Sequence, residues 1–169
     1  MGFPSKLKLF NVFSDGITYI GLVPELTLPK LSRKMEEYRA GSMTGPVSVD
    51  MGNEAMQLEY TAGGLLLDAL KKYAAGKHNA VQLRFAGGFK NDDTGAVDAV
   101  EVVVRGRYKE IDMGNAKAGD DTSHKYTMPI SYYKLTINNE VIYEFDFVAG
   151  VEMVGGVSQN SDLLKAIGL

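Results

Sequence analysis

Two histidines stand in polar, turn-like surroundings, His78 beside Lys77 and Asn79 and His124 beside Ser123 and Lys125. A base-assisted nucleophile needs its base and an orienting acid within hydrogen-bond reach. Around His124 the residue types are present: Asp120 or Asp121 could orient the ring, and Ser123 could attack. Such partners usually come from separate elements, because neighbours in sequence point apart. An ordinary exposed histidine is therefore expected at position 124. No H-x-x-x-H or H-E-x-x-H spacing places two imidazoles on one face for a metal. Residues 91–98, NDDTGAVD, carry the acidity of a calcium loop but lack its D-x-[DN]-x-[DN]-G order and closing glutamate, so they predict a turn. Gly87-Gly88 and Gly155-Gly156 form neither G-x-G-x-x-G nor a phosphate loop, and the first pair predicts a bulge or a close backbone approach. The absence of cysteine removes disulfides, thiolate metal sites and cysteine nucleophiles. No catalytic constellation emerges, and no cofactor or metal is expected.

The bulk properties narrow the classes further. A chain of 169 residues, 45% hydrophobic and 23% charged, fits one globular domain over residues 1–169. Its net charge of −3 leaves no electrostatic footprint for nucleic acid. Nine tyrosines, including Tyr132-Tyr133, could stack on sugars or bases. Basic residues do not interleave with them, so core packing and subunit contacts are the expected use. Arg105, Arg107 and Lys109 read as a solvated strand face diluted by Glu101 and Glu110. The N-terminal lysines lead into no apolar stretch, so no signal peptide is read. The longest aliphatic run, residues 65–67, ends at Asp68, and no membrane anchor is expected.

The elements that would position these residues are mostly strands. Val100, Val102, Val104 and Tyr108 alternate with charged residues, and so do Val81, Leu83, Phe85 and Phe89. Val141, Tyr143, Phe145 and Phe147 alternate in the same way, as do Met56, Leu58 and Tyr60. Asn138-Asn139 predicts a two-residue hairpin turn, because asparagine tolerates positive φ. From Met128, Ile130 and Tyr132 to Tyr133, Leu135 and Ile137 the apolar parity shifts by one residue, which predicts a β-bulge, and Pro129 predicts an edge strand. A helix is expected over residues 64–76, with Leu66, Ala69, Leu70 and Tyr73 facing the core and Gly76 stopping it. A short second helix is expected near the C-terminus, capped by Ser161, with Leu163, Leu164 and Ile167 as its stripe and Gly168 as its end. The fold class is mainly β, an antiparallel sandwich or barrel with one packed helix.

One stretch does not fit a simple surface loop. Between Arg39 and Asp50 there is no charge, and Val47, Val49 and Met51 alternate with Ser48 and Asp50. Such a segment is covered either by its own chain or by something outside it. On the residues alone, a carbohydrate-binding or adhesin-like sandwich with a tyrosine platform stays open, as does a hydrolase using His124 or an acidic pair.

The block LPKLSRKMEEYRAGSMTGPVSVDMGNEAM resembles the signature region of the major tail tube protein of contractile-tailed phages and R-type pyocins, the phage tail tube FII family. The resemblance extends over LKLFNVFSDGITYIGLVPELTLPKL, MPISYYKLTINNEVIYEFDFVAGVEMVGGV and DLLKAIGL, nearly the whole chain. It implies a sandwich-like subunit, similar in fold to the type VI secretion tube component. Such subunits form hexameric rings that stack into a hollow tube inside a contractile sheath. It implies that residues 37–56 form a long β-extension reaching neighbouring subunits, mainly between rings. Tyr38, Arg39, Met43, Pro46, Val47, Val49 and Met51 would be the contacts, and an N-terminal arm, residues 1–11, would join them. The implied partners are the chain itself, sheath protein, and baseplate and tail-terminator proteins, with DNA only as transient cargo. The implied location is a virion tail or a released bacteriocin particle, assembled in the bacterial cytoplasm.

Overall fold

The computed structural model describes residues 2–169. The chain runs β1 (Lys6–Ser14), β2 (Ile17–Thr18), β3 (Glu25–Thr27), β4 (Arg33–Tyr38), β5 (Val47–Asn53) and β6 (Met56–Ala62). A short helix α1 (Leu67–Leu70) precedes β7 (Val81–Lys90), β8 (Val97–Gly106) and β9 (Glu110–Asp112). The long β10 (His124–Ile137) is followed by β11 (Glu140–Asp146), β12 (Val151–Val154), β13 (Val157–Ser158) and α2 (Ser161–Ala166).

Period-two alternation becomes one eleven-stranded antiparallel sheet whose main path is β13-β12-β11-β10-β8-β7-β1-β2. β10 holds it together by changing partners along its length. Its first half pairs with β6 and β9, and its second half pairs with β8 and β11. β3 adds to β6, giving the sandwich its second layer. The alternating residues of both layers meet inside: Leu58 and Tyr60 from β6, Leu83 and Phe85 from β7, Val102 and Val104 from β8, Tyr126 and Met128 from β10. Among the described residues no closed barrel forms.

The parity shift expected after Tyr132 falls before it, as a register irregularity between Ile130 and Tyr132 against β8, so that Met128, Ile130 and then Tyr133 face inward and Tyr132 does not. Pro129, expected on an edge, lies inside the sheet opposite Gln57. It is tolerated because its missing N–H falls in the interval between β8 and β9, and there its carbonyl still accepts the Arg107 N–H at 3.4 Å. Gly106 ends β8 at this crossing because a Cβ there would stand 2.2 Å from the Pro129 carbonyl oxygen. Asn138 and Asn139 take φ of 49° and 65°, as the tight turn between β10 and β11 requires.

The expected helix over residues 64–76 contracts to Leu67–Leu70. Gly63 and Gly64 precede it, Leu66 gives it no side-chain cap, and Ala74 at φ 61° breaks it. One turn suffices to bury Leu66 and Ala69, while Tyr73, expected on the core face, is exposed. With so few residues the nucleation cost of a longer helix is not recovered. In α2 the N-cap position belongs to Asn160, not Ser161, and Gly168 at φ 88° ends it as expected. Its stripe is turned outward: Leu163 and Ile167 are exposed, and Leu164 alone packs, its Cδ2 against Gly150. Of the expected N-terminal arm, residues 6–11 belong to β1, paired along β7, and only residues 2–5 precede it; Met1 lies outside the described residues.

Candidate assembly hairpin

β4 and β5 form a two-stranded sheet of their own, with no ladder to the main sheet. Their register runs from Arg33↔Asn53 to Tyr38↔Val47, with an irregularity between Arg33 and Met35. Cross-strand partners share a face, so Tyr38, Val47 and Val49 lie on one side with Glu36. Glu37, Ser48, Met35 and Asp50 lie on the other. Neither side is covered: Met35, Tyr38, Val47, Val49 and Met51 are all 43% exposed or more. A two-stranded hairpin alone in water is marginal at best. Its outer edges also carry unpaired backbone donors and acceptors, an open template for another chain.

The tip is a compact uncharged turn. The Met43 N–H donates to the Ala40 carbonyl at 3.1 Å, and Met43 itself is half-buried by the turn. Arg39 Nε reaches back to the Met43 carbonyl at 3.4 Å, and Pro46 is exposed on the return to β5.

The root is polar and fixed. Arg33 Nε donates to both Asp50 carboxylate oxygens, at 2.9 and 3.1 Å, and Nη1 donates to Asn53 Oδ1 at 3.1 Å. The same guanidinium pairs with Glu152 of β12, tying the hairpin to the body. The Gly52 backbone N–H, and then Arg33, hold the Asp50 carboxyl below its ordinary range, while Asp50 foremost pushes the Arg33 guanidinium up. The result is a stiff base beneath an uncovered, apolar-sided ribbon.

The seven residues expected at subunit contacts, Tyr38, Arg39, Met43, Pro46, Val47, Val49 and Met51, therefore all lie on this hairpin. The expected boundary at residue 37 was late: the ribbon begins at Arg33, and the alternation of RKMEEY, with Met35 between charges, was the missed signal. The Arg33–Glu152 pair spans 119 residues and has no local signature.

The residues that could do chemistry do not converge. His124, expected to be exposed, is buried as the first residue of β10, and its Nδ1 has no partner. Asp120 turns back onto Lys117, and the Asp121 carboxylate accepts the Thr122 N–H at 2.9 Å. His78 Nδ1 instead meets Ser131 Oγ at 2.7 Å. Asn91 Oδ1 caps the Asp93 and Thr94 N–H groups, making residues 91–95 the expected turn. Among the described residues no group of three or more His, Cys, Asp or Glu could hold a metal. Five tyrosines, Tyr19, Tyr60, Tyr108, Tyr126 and Tyr133, are buried in the core, while Tyr38 and Tyr73 are exposed.

The fold is an antiparallel sandwich that holds out a free-standing two-stranded hairpin. The model of the family phage tail tube protein FII matches residues 4–168. The chain is 43% identical to the tail tube protein of Escherichia phage P2, over 100% of both chains. It is 38% identical to the major tail tube protein of Serratia phage KSP20, over 100% of this chain and 99% of that one. The chain belongs to the phage tail tube protein FII family, and it is a structural, tube-forming subunit. Solved structures with the same fold include the sheath/tube terminator of the extracellular contractile injection system PVC, with a TM-score of 0.61 at 12% identity, covering 80% of this chain and 99% of that one. The sheath–tube complex of the same system follows at 0.59 and 12% identity, covering 79% and 91%.

Proposed function

We propose that this chain forms hexameric rings that stack into the hollow inner tube of a contractile tail, with the β4–β5 hairpin as the contact between rings. The observation that carries this reading is the hairpin itself, an uncovered ribbon with two open edges and apolar side chains on a fixed root. Tyr38, Arg39, Met43, Pro46, Val47, Val49 and Met51 are the contacts. A head-to-tail contact that does not close on itself continues into a filament, which stacking requires. The outer partners are a surrounding sheath, a baseplate and a terminator. This is supported by fold neighbours drawn from a sheath–tube complex, a sheath/tube terminator and a baseplate. The particle is a phage tail or a headless bacteriocin, put together in the bacterial cytoplasm.

The opposing free energies are of comparable size, so the segment is poised to gain order only when a neighbour covers it. Ordering each backbone residue costs about 1–2 kcal/mol, and burying each of Val47, Val49 and Met51 against a neighbour returns roughly 1.5–3 kcal/mol. Strand pairing along an open edge adds hydrogen bonds. Shortening the tip between Ser42 and Ser48 is expected to leave rings that do not stack, with the melting of the sandwich unchanged. Electron microscopy and hydrogen exchange together test this. Full tubes from the shortened chain, or equal protection of residues 41–50 before and after assembly, would defeat it.

A further inference from the structure

The root of the hairpin is also one wall of a cleft. A hollow of about 440 Å³ lies between Arg33 and Asp50 of the hairpin and Phe145, Glu152 and Leu163 of the body. Leu31 and Val154 complete its apolar lining, and Leu31 and Leu163 are left 43% and 71% exposed. A smaller hollow of about 270 Å³ shares Glu152 and Asn160 with the first and adds Asp146. Among the described residues that line the two, Arg33 is the one cation against three carboxylates, Asp50, Glu152 and Asp146. Arg33 pairs with both Asp50 and Glu152, so negative charge is left in excess beside an apolar wall.

The other end of the same hairpin has the opposite character. Residues 40–46 carry no charge, and Arg39 stands at their entrance, with Glu36 and Glu37 further down β4 behind Tyr38. Arg39 turns its Nε onto the Met43 carbonyl, and among the described residues no carboxylate pairs with it. The tip cannot reach the cleft of its own chain. Arg33 and Tyr38 alone stand about 17 Å apart at a strand rise of about 3.3 Å per residue, and the β4–β5 register holds the two ends apart.

We infer that the hairpin tip of one copy, residues 39–46, seats in the root cleft of a second copy in the next ring. Arg39 then meets the surplus carboxylates, and Met43 and Pro46 cover Leu31 and Leu163. The inference rests on the stacking reading above and names the surface that receives the hairpin. A specific contact combines an apolar centre with a polar rim, and complementary charge fixes its orientation. Here the uncharged tip supplies the centre, and Arg39 against the acidic cleft supplies the rim. A contact between opposite ends of one element is heterologous. Repeated in one direction, it advances each copy along the hairpin and continues as a filament.

The chain has no cysteine, so introduced thiols are the only ones that react. A chain carrying both Ser42→Cys and Leu163→Cys, assembled and treated with a bis-maleimide shorter than the hairpin, is expected to give a covalent ladder. That ladder should run past the number of copies in one ring, because the links follow the stack. A mixture of the two single variants should give dimers, and either single variant alone should stay monomeric. In parallel, Leu163→Asp should melt as the unsubstituted protein does and leave rings unstacked. Normal tubes from Leu163→Asp, or no ladder from the double variant while microscopy shows tubes, would overturn the tip-in-cleft contact and leave the stacking reading intact. A ladder that stops at one ring would place the contact within rings, and dimers with nothing larger would mean two copies exchanging tips; either overturns it. Linked dimers from a single variant would mean a self-facing contact and overturn it too. If the unsubstituted protein forms no tubes at any concentration, the stacking reading fails and takes this contact with it.

Discussion

Burial makes tyrosines of one type behave in opposite ways. Tyr60 and Tyr126 stack at 4.8 Å with an interplanar angle of 7°, and Tyr108 meets Tyr60 edge-on at 6.3 Å. The Tyr60 and Tyr108 hydroxyls share a hydrogen bond of 2.6 Å, whereas the Tyr126 hydroxyl is buried without a partner. Tyr126→Phe therefore removes an unsatisfied group and should leave stability unchanged or raise it. Tyr60→Phe strands the Tyr108 hydroxyl and should cost about 1–3 kcal/mol. Chemical denaturation of the two variants compares them directly, and equal losses would mean that the hydroxyl pairing is not what the fold uses.

At the scale of the element, β8 separates two faces. Val102 lies between Phe85 and Leu135 in the ladder and is buried, while Arg105 on the other face stacks its guanidinium 4.2 Å from the Tyr132 ring centre. Val102→Asp places a carboxylate in the core with no cation to meet it, a penalty of several kcal/mol that is comparable with the whole stability of a domain. Arg105→Ala forfeits a half-exposed cation–π contact of about 0.5–1 kcal/mol and should leave the chain folded. Thermal melting of both variants checks the assignment. A normally melting Val102→Asp protein would show the faces to be reversed. β8 stops at Gly106 and β9 begins at Glu110, and across the gap the Arg107 and Lys109 N–H groups still donate to the Pro129 and Thr127 carbonyls of β10.

For the whole molecule, the tyrosine cluster sets the alkaline limit. Burial pushes Tyr19, Tyr60, Tyr108 and Tyr126 up, and it pushes Tyr132 and Tyr133 up to about 12. The fold holds these phenols neutral, whereas in the unfolded chain they ionise near 10. Their contribution is complete below that point and is lost as pH rises through 10 toward 12 and beyond. Stability should thus fall steeply above pH 10, and the larger step of tyrosinate absorbance should coincide with loss of the sheet signal. Complete ionisation with the sheet intact would contradict this.

Local chemistry was legible in the chain. Alternation reported which residues face inward, because a strand's period of two leaves a pattern any single segment can show. The same held for the asparagine turn, the parity shift before Tyr133 and the uncharged tip of the hairpin. The two helices were read too generously, because an apolar 3.6-residue pattern reports a face and not what covers it. Tyr73, Leu163 and Ile167 were assigned a core that lies elsewhere. His124 was misplaced for the opposite reason, since a polar neighbourhood in sequence says nothing about the strands that close over a side chain. Whether Pro129 sits at an edge, how Arg33 reaches Glu152, and which apolar faces are left bare depend on contacts between distant segments. Those contacts come into being only when β10 joins the two layers, and short-range pattern carries no record of them.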